Sequence, residues 1–303
     1  MNRTTFLFVI SIFWLLSGCS AGDGTADGAA NDSSASDTAD RAEGAAADAT
    51  NAAVVQEEQP LHANFRLSEG ELDSMTAGLP AEIRDTIAAS PGEFLSMIEG
   101  VLAQPEELTW LVDKEHALAA DYAPADLVDL DEVDGLTLRN TGLSLRRVII
   151  APLLDMVDAA GIEGIDLELS STYRSYDYQR QVYQRWVNDL GQEQADRVSA
   201  QPGHSQHQLG TAIDFGCICL AFETQPAGRW LLRHAWRYGF SISYPTGYSD
   251  VTGYDYEPWH YRFIGIAAST LEHLFFDGVQ QYMLEFLDAN RHLLEQVHVP
   301  ITS

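Results

Sequence analysis

The amino-acid sequence predicts an α+β domain in which helices flank a small, central and mainly antiparallel sheet. Three observations support this class. Short strand-like segments are scattered among longer helical segments along the 303-residue chain. Neither a repeated β-α-β unit nor a glycine-rich phosphate loop is present in the sequence. Roughly 200 residues follow the N-terminal tract, and that length is enough for a single hydrophobic core.

The first residues have the pattern of a secretory signal. Arg3 precedes the apolar run 6–16, which is too short for a comfortable membrane span. The run ends in Leu-Ser-Gly-Cys at 16–19, which resembles a bacterial lipoprotein box, although an ordinary signal peptide with a chance cysteine is the alternative. We therefore expect residues 1–18 to be removed and Cys19 to carry the lipid that anchors the protein to a bilayer in the cell envelope.

The mature chain would then face outward or into the periplasm. An aspartate after the lipidated cysteine would indicate inner-membrane retention in a Gram-negative cell. Ser20 stands there instead, which favours the outer membrane if the cell is Gram-negative. Residues 19–60 are rich in Ala, Asp, Gly, Ser and Thr, so we expect a disordered acidic tether rather than an extra small domain.

The charge balance of the chain restricts its partners. The formal net charge is −28, from 17 basic and 45 acidic side chains. Nucleic-acid binding is not expected, because it requires a basic face. An anionic substrate would have to be held by a local arginine, since the overall field repels it.

A helical lead-in is predicted over residues 61–107. Ser68 is followed by Glu71, and Ser90 by Glu93, which is the spacing of an N-terminal capping box. We expect two or three helices here that pack on the main domain.

The main domain is predicted to cover residues 108–303. Its apolar residues follow a helical stripe over 144–160 and alternate as in a strand over 165–170. His116 is expected to be a surface or turn histidine. The other predicted elements are strands at 109–112, 210–220 and 240–244, and helices at 177–190, 228–238 and 265–297.

Two cysteines lie close together shortly after Asp214. Cys217 and Cys219 are separated by one residue, and on a strand their α-carbons would be near the upper limit for a disulfide. We expect two small buried apolar side chains, with a disulfide or an additional metal-ligand pair as alternatives.

Two short stretches carry the residues for metal chemistry. Residues 205–214 read SQHQLGTAID, and residues 257–260 read EPWH. Together they offer two imidazoles, two carboxylates and a hydroxyl among residues that bend the backbone. One Zn²⁺ with three protein ligands, an open coordination position and a separate carboxylate for proton transfer needs such a set.

Five motifs in the same order resemble the VanY-like D-alanyl-D-alanine carboxypeptidases. These zinc peptidases share a fold with lysostaphin-type endopeptidases and the hedgehog signalling domain, so the resemblance implies that fold here. It covers about residues 108–265 and leaves out the lead-in, the tether and the tail. The motifs are WLVDKEHAL at 110–118, STYRSYDYQ at 171–179, PGHSQHQLGTAIDF at 202–215, AWRYGF at 235–240 and TGYDYEPWHYRF at 252–263.

The resemblance implies roles for individual residues. His207, Asp214 and His260 would hold one zinc ion per chain. Glu257 would be the general base that activates water and then protonates the leaving amine. Arg174 would stabilise the oxyanion or hold the terminal carboxylate of the substrate, with a structural salt bridge as the alternative.

Three further residues, Ser205, Gln179 and Trp259, are implied to contact substrate. Two positions depart from the family pattern: Gln206 stands where a glutamate is more frequent, and Thr172 stands where a glycine is common. Neither position is an implied ligand, so the implied chemistry is unaffected.

The resemblance implies a monomeric zinc carboxypeptidase that removes the C-terminal D-alanine from peptidoglycan stem peptides. An L,D-carboxypeptidase that trims tetrapeptide stems with the same residues is the first alternative. A cell-wall-binding module that has kept the fold and lost catalysis is the second.

Overall fold

Three short helices open the part of the chain that the computed structural model describes, residues 60–300. The capping box predicted at Ser68 is present: its hydroxyl accepts from the backbone of Glu71, whose carboxylate accepts from the backbone of Ser68. Ser90 precedes the third helix without a side-chain cap, and Pro91 is its first residue. The helices are α1 (Glu69–Thr76), α2 (Ala81–Ala89) and α3 (Pro91–Leu102).

A five-stranded sheet lies at the centre of the remaining chain, and a separate two-stranded sheet pairs β1 with β3. The strand order in the larger sheet is β2-β4-β5-β7-β6, and only the β2–β4 pair is parallel within residues 60–300. The predicted α+β class with a mainly antiparallel sheet is therefore confirmed. The strands are β1 (Leu127–Asp129), β2 (Thr137–Leu138), β3 (Ser144–Arg146), β4 (Glu168–Ser171), β5 (Ala212–Phe215), β6 (Phe240–Ile242) and β7 (His260–Phe263).

Helices cover the sheet and continue to the C-terminal end of the described chain. Within residues 60–300, no helix combines the length and apolar composition that a membrane crossing needs. The helices are α4 (Arg147–Ile162), α5 (Tyr176–Leu190), α6 (Gln192–Val198), α7 (Pro226–His234), α8 (Ser249–Thr252), α9 (Ile266–Phe275) and α10 (Gln280–Val297).

The buried apolar side chains form two separate cores. The helical core joins α1–α3 to α9 and α10, with Phe94 at its centre. The sheet core joins one face of the five-stranded sheet to α4 and α7. Between the two cores lies a seam of buried polar side chains, which we call the polar seam: Gln206, Ser241, Ser243, Glu272 and Gln280.

The strand predicted at 109–112 is wrong. Residues Glu106–Thr109 form a 3-10 turn after Pro105, and the chain then runs without a strand partner. The cause is a distant side chain: the buried guanidinium of Arg262 donates to the carbonyls of Leu108 and Trp110 at 3.0 and 2.8 Å. These carbonyls are therefore satisfied by an arginine instead of a neighbouring strand.

Two element boundaries also differ from the prediction. The strand predicted over 210–220 spans only Ala212–Phe215, because Gly216 has a positive φ of 58° and turns the chain out of the sheet. The helix predicted from residue 144 begins at Arg147, and Ser144–Arg146 forms β3.

The expectation of two unpaired cysteines is wrong. Cys217 and Cys219 form a disulfide, and both side chains are only half-buried. The segment has left the strand, and the Cys219 amide donates to the Cys217 carbonyl at 2.9 Å in a tight turn. This turn brings the two α-carbons to 5.3 Å, within the usual range for a disulfide.

His116 is exposed at the surface, one of the two placements predicted for it. Its backbone and ring contact the carboxylate of Asp113. The predictions for the signal peptide 1–18, for Cys19 and for almost all of the tether 19–60 lie outside the described residues.

Candidate active site

The structure brings His207, Asp214 and His260 together. His207 lies in the 3-10 turn Gln206–Leu209, Asp214 on β5, and His260 at the start of β7, directly across the sheet from Asp214. The three residues are 1%, 4% and 3% exposed. One candidate ligand atom from each lies within 4.8 Å of the others, so the three form a buried group that could hold one metal ion.

Backbone turns create this convergence. Gly210 has φ 69° and ends the turn that carries His207, so the chain can enter β5 and reach Asp214. A Cβ at Gly210 would lie 3.1 Å from three neighbouring side chains, which leaves little room for another residue. On the second stretch, the amide of His260 donates to the carbonyl of Glu257 at 3.2 Å, so this stretch is bent as expected.

Hydrogen bonds outside the group orient both imidazoles. His207 donates through Nδ1 to the carbonyl of Thr172 at 2.6 Å, and its Nε2 lies 3.3 Å from Asp214. His260 donates through Nε2 to Gln206 at 3.2 Å, and its Nδ1 lies 3.0 Å from Asp214. Such outer contacts set which ring nitrogen stays free to bind a metal.

The protonation states also suit a metal site. Burial and the nearby Arg174 lower the pKa of His207 to about 4, so its ring is neutral near pH 7. Burial would raise the pKa of Asp214, but the adjacent His207 and His260 hold it well below its usual range. Neutral histidine and ionised aspartate are the forms that bind metals.

One buried atom in the group lacks a protein hydrogen bond. Nε2 of His207 has no hydrogen-bond partner among residues 60–300. A buried polar atom without a partner is costly, and a metal ion would satisfy it. The residues present therefore fit a metal with two nitrogen donors and one oxygen donor, a set that zinc accepts.

Glu257 lies beside this group. Its carboxylate is 3.7 Å from Nδ1 of His260, and its side chain is partly open to the groove. Burial and the neighbouring Asp214 raise the pKa of Glu257 well above its usual value. A raised pKa strengthens a carboxylate as a proton acceptor at neutral pH.

Arg174 approaches the group from the segment between β4 and α5. Its guanidinium lies 3.7 Å from Asp214 and donates to Oε1 of Gln179 at 2.9 Å. Gln179 in turn donates to the carbonyl of Ala200 at 2.7 Å. Both ends of the Gln179 amide are therefore engaged, and this residue holds Arg174 in place.

The site opens into a groove of about 1100 Å³. Ser205, Gln179 and Trp259, the three residues implied to contact substrate, line this groove together with the metal group and Arg174. Trp186 on α5 and Ile218 in the disulfide loop also line it. The volume is larger than a terminal dipeptide requires, so a longer ligand fits along it.

Two tyrosines lie in the site, and the sequence-based predictions gave neither of them a role. The ring of Tyr244 lies 4.9 Å from that of His260, and Tyr254 packs 4.7 Å from Tyr244. Burial raises the pKa of both tyrosines. Tyr254 belongs to a quoted motif, whereas Tyr244 follows a strand and carries no sequence signal of a site.

The fold and the site define an α+β protein with a buried His-Asp-His metal group at the base of a peptide-sized groove. Comparison with known proteins agrees. The sequence model of VanY, D-alanyl-D-alanine carboxypeptidase, matches residues 142–266. A putative carboxypeptidase of Bacillus subtilis, YodJ, is 37% identical over 174 residues, which cover 55% of this chain and 64% of the relative.

A second curated relative is covered more completely. The bifunctional D-Ala-D-Ala dipeptidase and D-Ala-D-Ala carboxypeptidase VanXYC of Enterococcus gallinarum is 30% identical over 167 residues, 52% of this chain and 84% of the relative. The chain therefore belongs to the VanY family, D-alanyl-D-alanine carboxypeptidases. It spans less than two thirds of the length of the Bacillus subtilis relative.

Two solved structures share the fold. The LdcB LD-carboxypeptidase is 34% identical with a TM-score of 0.55, over 60% of this chain and 88% of that chain. A variant of the vancomycin resistance D,D-pentapeptidase VanY in complex with Zn(II) is 28% identical with a TM-score of 0.50, over 60% of this chain and 99% of that chain.

Proposed function

We propose that the protein is a zinc-dependent carboxypeptidase that hydrolyses the C-terminal D-alanine peptide bond of peptidoglycan stem peptides. The observation that carries this proposal is the buried group His207, Asp214 and His260 with Glu257 and Arg174 beside it in one open groove. Family membership supports the reaction class.

Zinc is the proposed metal. Support comes from the two-nitrogen, one-oxygen donor set, from the unpartnered Nε2 of His207 and from the zinc complex of the VanY variant. When bound, zinc would act as a Lewis acid that makes water easier to deprotonate at neutral pH.

The protein residues divide the remaining work. Glu257 accepts a proton from the attacking water and returns it to the leaving amine, since its carboxylate is close to the metal group without belonging to it. Arg174, held by Gln179, offers a planar donor to the carboxylate end or the developing oxyanion of a substrate. Ser205, Gln179 and Trp259 line the groove and are proposed to contact the peptide.

A second candidate is L,D-carboxypeptidase activity on tetrapeptide stems with the same residues. The specific observation in its favour is the likeness to the LdcB LD-carboxypeptidase, the higher of the two TM-scores. A non-catalytic wall-binding module is disfavoured, because the metal group, Glu257 and Arg174 are all in place.

The location proposed for the enzyme is the cell envelope. The motif that ends at Cys19 supports lipid anchoring to the outward or periplasmic face of a bilayer, and the acidic tract 19–60 supports a long tether. We propose that the enzyme acts as a monomer.

The test is incubation of the full chain and Zn²⁺ with purified muropentapeptide and, separately, murotetrapeptide, followed by mass spectrometry of the products. Loss of one alanine from the pentapeptide is the expected result. Loss of alanine from the tetrapeptide alone would establish the L,D specificity instead. No cleavage of either peptide by folded, zinc-loaded protein would overturn the enzymatic proposal.

A further inference from the structure

One face of the protein is basic and apolar, although the chain as a whole is strongly acidic. Between Glu223 and Asp250, and again between Glu257 and Glu272, the sequence contains no Asp or Glu. These two stretches include α7, the 3-10 turn Ala235–Tyr238 and the beginning of α9. We name the surface that they share the α7/α9 face, and it consists of Arg229, Leu232, Arg233, His234, Trp236, Arg237, Ile266 and His273.

Helical spacing places the α7 members of this face on one side. Arg229, Leu232 and Arg233 are three and four residues apart, so they lie next to one another on the helix surface. All three are exposed, whereas Trp230 and Leu231 on the opposite side are buried in the sheet core.

Contacts join the 3-10 turn Ala235–Tyr238, which directly follows α7, to α9. The ring of Trp236 stacks on that of His273 at 4.1 Å, and the hydroxyl of Ser269 donates to the Trp236 carbonyl at 2.7 Å. The Arg237 guanidinium lies 4.8 Å from the centre of the Trp236 ring and 2.7 Å from Nδ1 of His234. The α7/α9 face is therefore one continuous surface.

The three arginines of this face are not paired with carboxylates in the described part of the chain. Burial and the nearby Arg237 lower the pKa of His234 and of His273. Glu163 borders the face: its carboxylate accepts a hydrogen bond from the Trp230 indole at 2.8 Å and raises the pKa of His234, against the lowering effect of burial and Arg237.

Apolar side chains project from the same surface. Leu232 is 60% exposed and Ile266 is 53% exposed.

We propose that the α7/α9 face docks onto a bilayer that contains anionic phospholipid. Arginines attract the headgroups, while exposed aliphatic side chains and a tryptophan suit the boundary between headgroups and acyl chains. A soluble polyanion would use the arginines and leave the apolar side chains without a role.

The sheet separates α7 from the groove. Side chains alternate along β7, so His260 faces the groove while Tyr261 and Phe263 face the sheet core with α7. Helix α7 and the groove therefore lie on opposite sides of the sheet, whereas α9 packs in the helical core. The docking does not depend on the proposed function.

Hydrogen–deuterium exchange of the full chain tests the docking. The protein is measured alone, with phosphatidylcholine vesicles, and with vesicles of phosphatidylcholine and phosphatidylglycerol in equal parts. We expect exchange over 229–238 and 266–273 to slow several-fold on the anionic vesicles only, and high salt to abolish the effect. The readout is local, so membrane binding through the apolar run 6–16 cannot produce it.

Matched variants distinguish an effect of the α7/α9 face from an effect of the protein's overall charge. Arg229→Gln/Arg233→Gln/Arg237→Gln should lose the protection, whereas Arg66→Gln/Arg84→Gln/Arg147→Gln removes the same charge from exposed arginines elsewhere and should keep it. Leu232→Ser/Ile266→Ser should weaken it. Equal protection in both triple variants, protection on neutral vesicles, or protection by soluble polyglutamate but not by anionic vesicles would overturn the proposal.

Discussion

The two apolar cores of the protein serve different purposes. The sheet core underlies the metal group, and nearly all of its residues lie within the VanY family match at residues 142–266. The helical core lies mostly outside that match and contains none of the candidate site residues. The chemistry of the family is thus carried by one half of the described chain.

The helical core nevertheless reaches the site through the polar seam. His260 donates to Gln206, the Gln206 amide donates to Gln280 at 3.2 Å, and Ser243 donates to Gln206 at 2.6 Å. Gln280 is the first residue of α10, so a helix of one core supports a metal-group histidine of the other. The two cores therefore divide the work: the sheet core carries the groups for catalysis, and the helical core supports them from outside. Substitutions in each core can test this division.

The largest expected effect is on catalysis. Glu257→Gln removes the proton acceptor but leaves the metal group intact, so kcat should fall by about a hundredfold to ten-thousandfold. Zinc content, measured by atomic emission, should stay unchanged. A variant with near-normal kcat would mean that another group serves as the base.

In the helical core the largest expected effect is on stability. Phe94 is fully buried and packs against Phe275 and Phe286, so Phe94→Ala should lower the free energy of unfolding by about 3–5 kcal/mol. Urea denaturation measures this loss, and kcat per folded molecule should be unchanged. The control is Ile162→Ala at an exposed position, expected within about 0.5 kcal/mol of the parent. A loss of kcat as large as that of Glu257→Gln would contradict the separation.

An intermediate effect is expected where the two cores meet. Gln206→Ala removes the acceptor that orients His260 and should weaken zinc affinity by about 10- to 100-fold. Gln280→Ala, one hydrogen bond further away, should cause a smaller loss. Competition with a chelator measures both, and Gln208→Ala, a buried glutamine in the same turn that bonds Ala119 and Tyr122, is the matched control. Equal affinities in all three variants would show that the seam does not support the site.

The smallest expected effect is a pH dependence of stability from Glu272. Burial raises the pKa of this seam carboxyl to about 8, above the usual 4.5. Between pH 4.5 and about pH 8, the folded protein keeps a proton on Glu272 that the unfolded chain has released. The free energy of unfolding therefore falls as the pH rises through this range. Glu272→Gln should raise the free energy of unfolding by about 2 kcal/mol at pH 8 and by much less at pH 5.

Urea denaturation at both pH values measures that effect. Glu193→Gln, at an exposed position, is the control and should leave the difference between the two pH values unchanged. The same gain at pH 5 as at pH 8 would mean that Glu272 is already ionised in the folded protein.

Much of the fold and of the metal group could be predicted from the sequence. His207, Asp214, Glu257 and His260 lie in two short motifs whose bends follow from Gly210 and from the turn before β7, so their convergence depends on local features. The disulfide could not be predicted by strand geometry, because the turn at Cys217–Cys219 shortens the distance that an extended chain would have.

Contacts between distant residues explain the other differences. Arg262 satisfies backbone carbonyls at 108 and 110, which prevents the strand expected there, and no local pattern reports such a contact. The role of Gln206 also depends on a residue that is distant in the sequence. A glutamate at position 206, which is more frequent in the family, could accept from His260 but could not donate to Gln280. The glutamine at 206 makes both hydrogen bonds, and its second partner, Gln280, lies at the start of α10.

Removal and return of the metal test the central claim most directly. The full chain is stripped with a chelator and titrated with Zn²⁺ while D-alanine release from muropentapeptide is measured. The stripped protein should stay folded and inactive, and activity should rise linearly to a plateau at one zinc per chain. His207→Ala should not recover activity at that ratio. Full activity in the metal-free protein, or a plateau unaffected by His207→Ala, would contradict the assignment of the site.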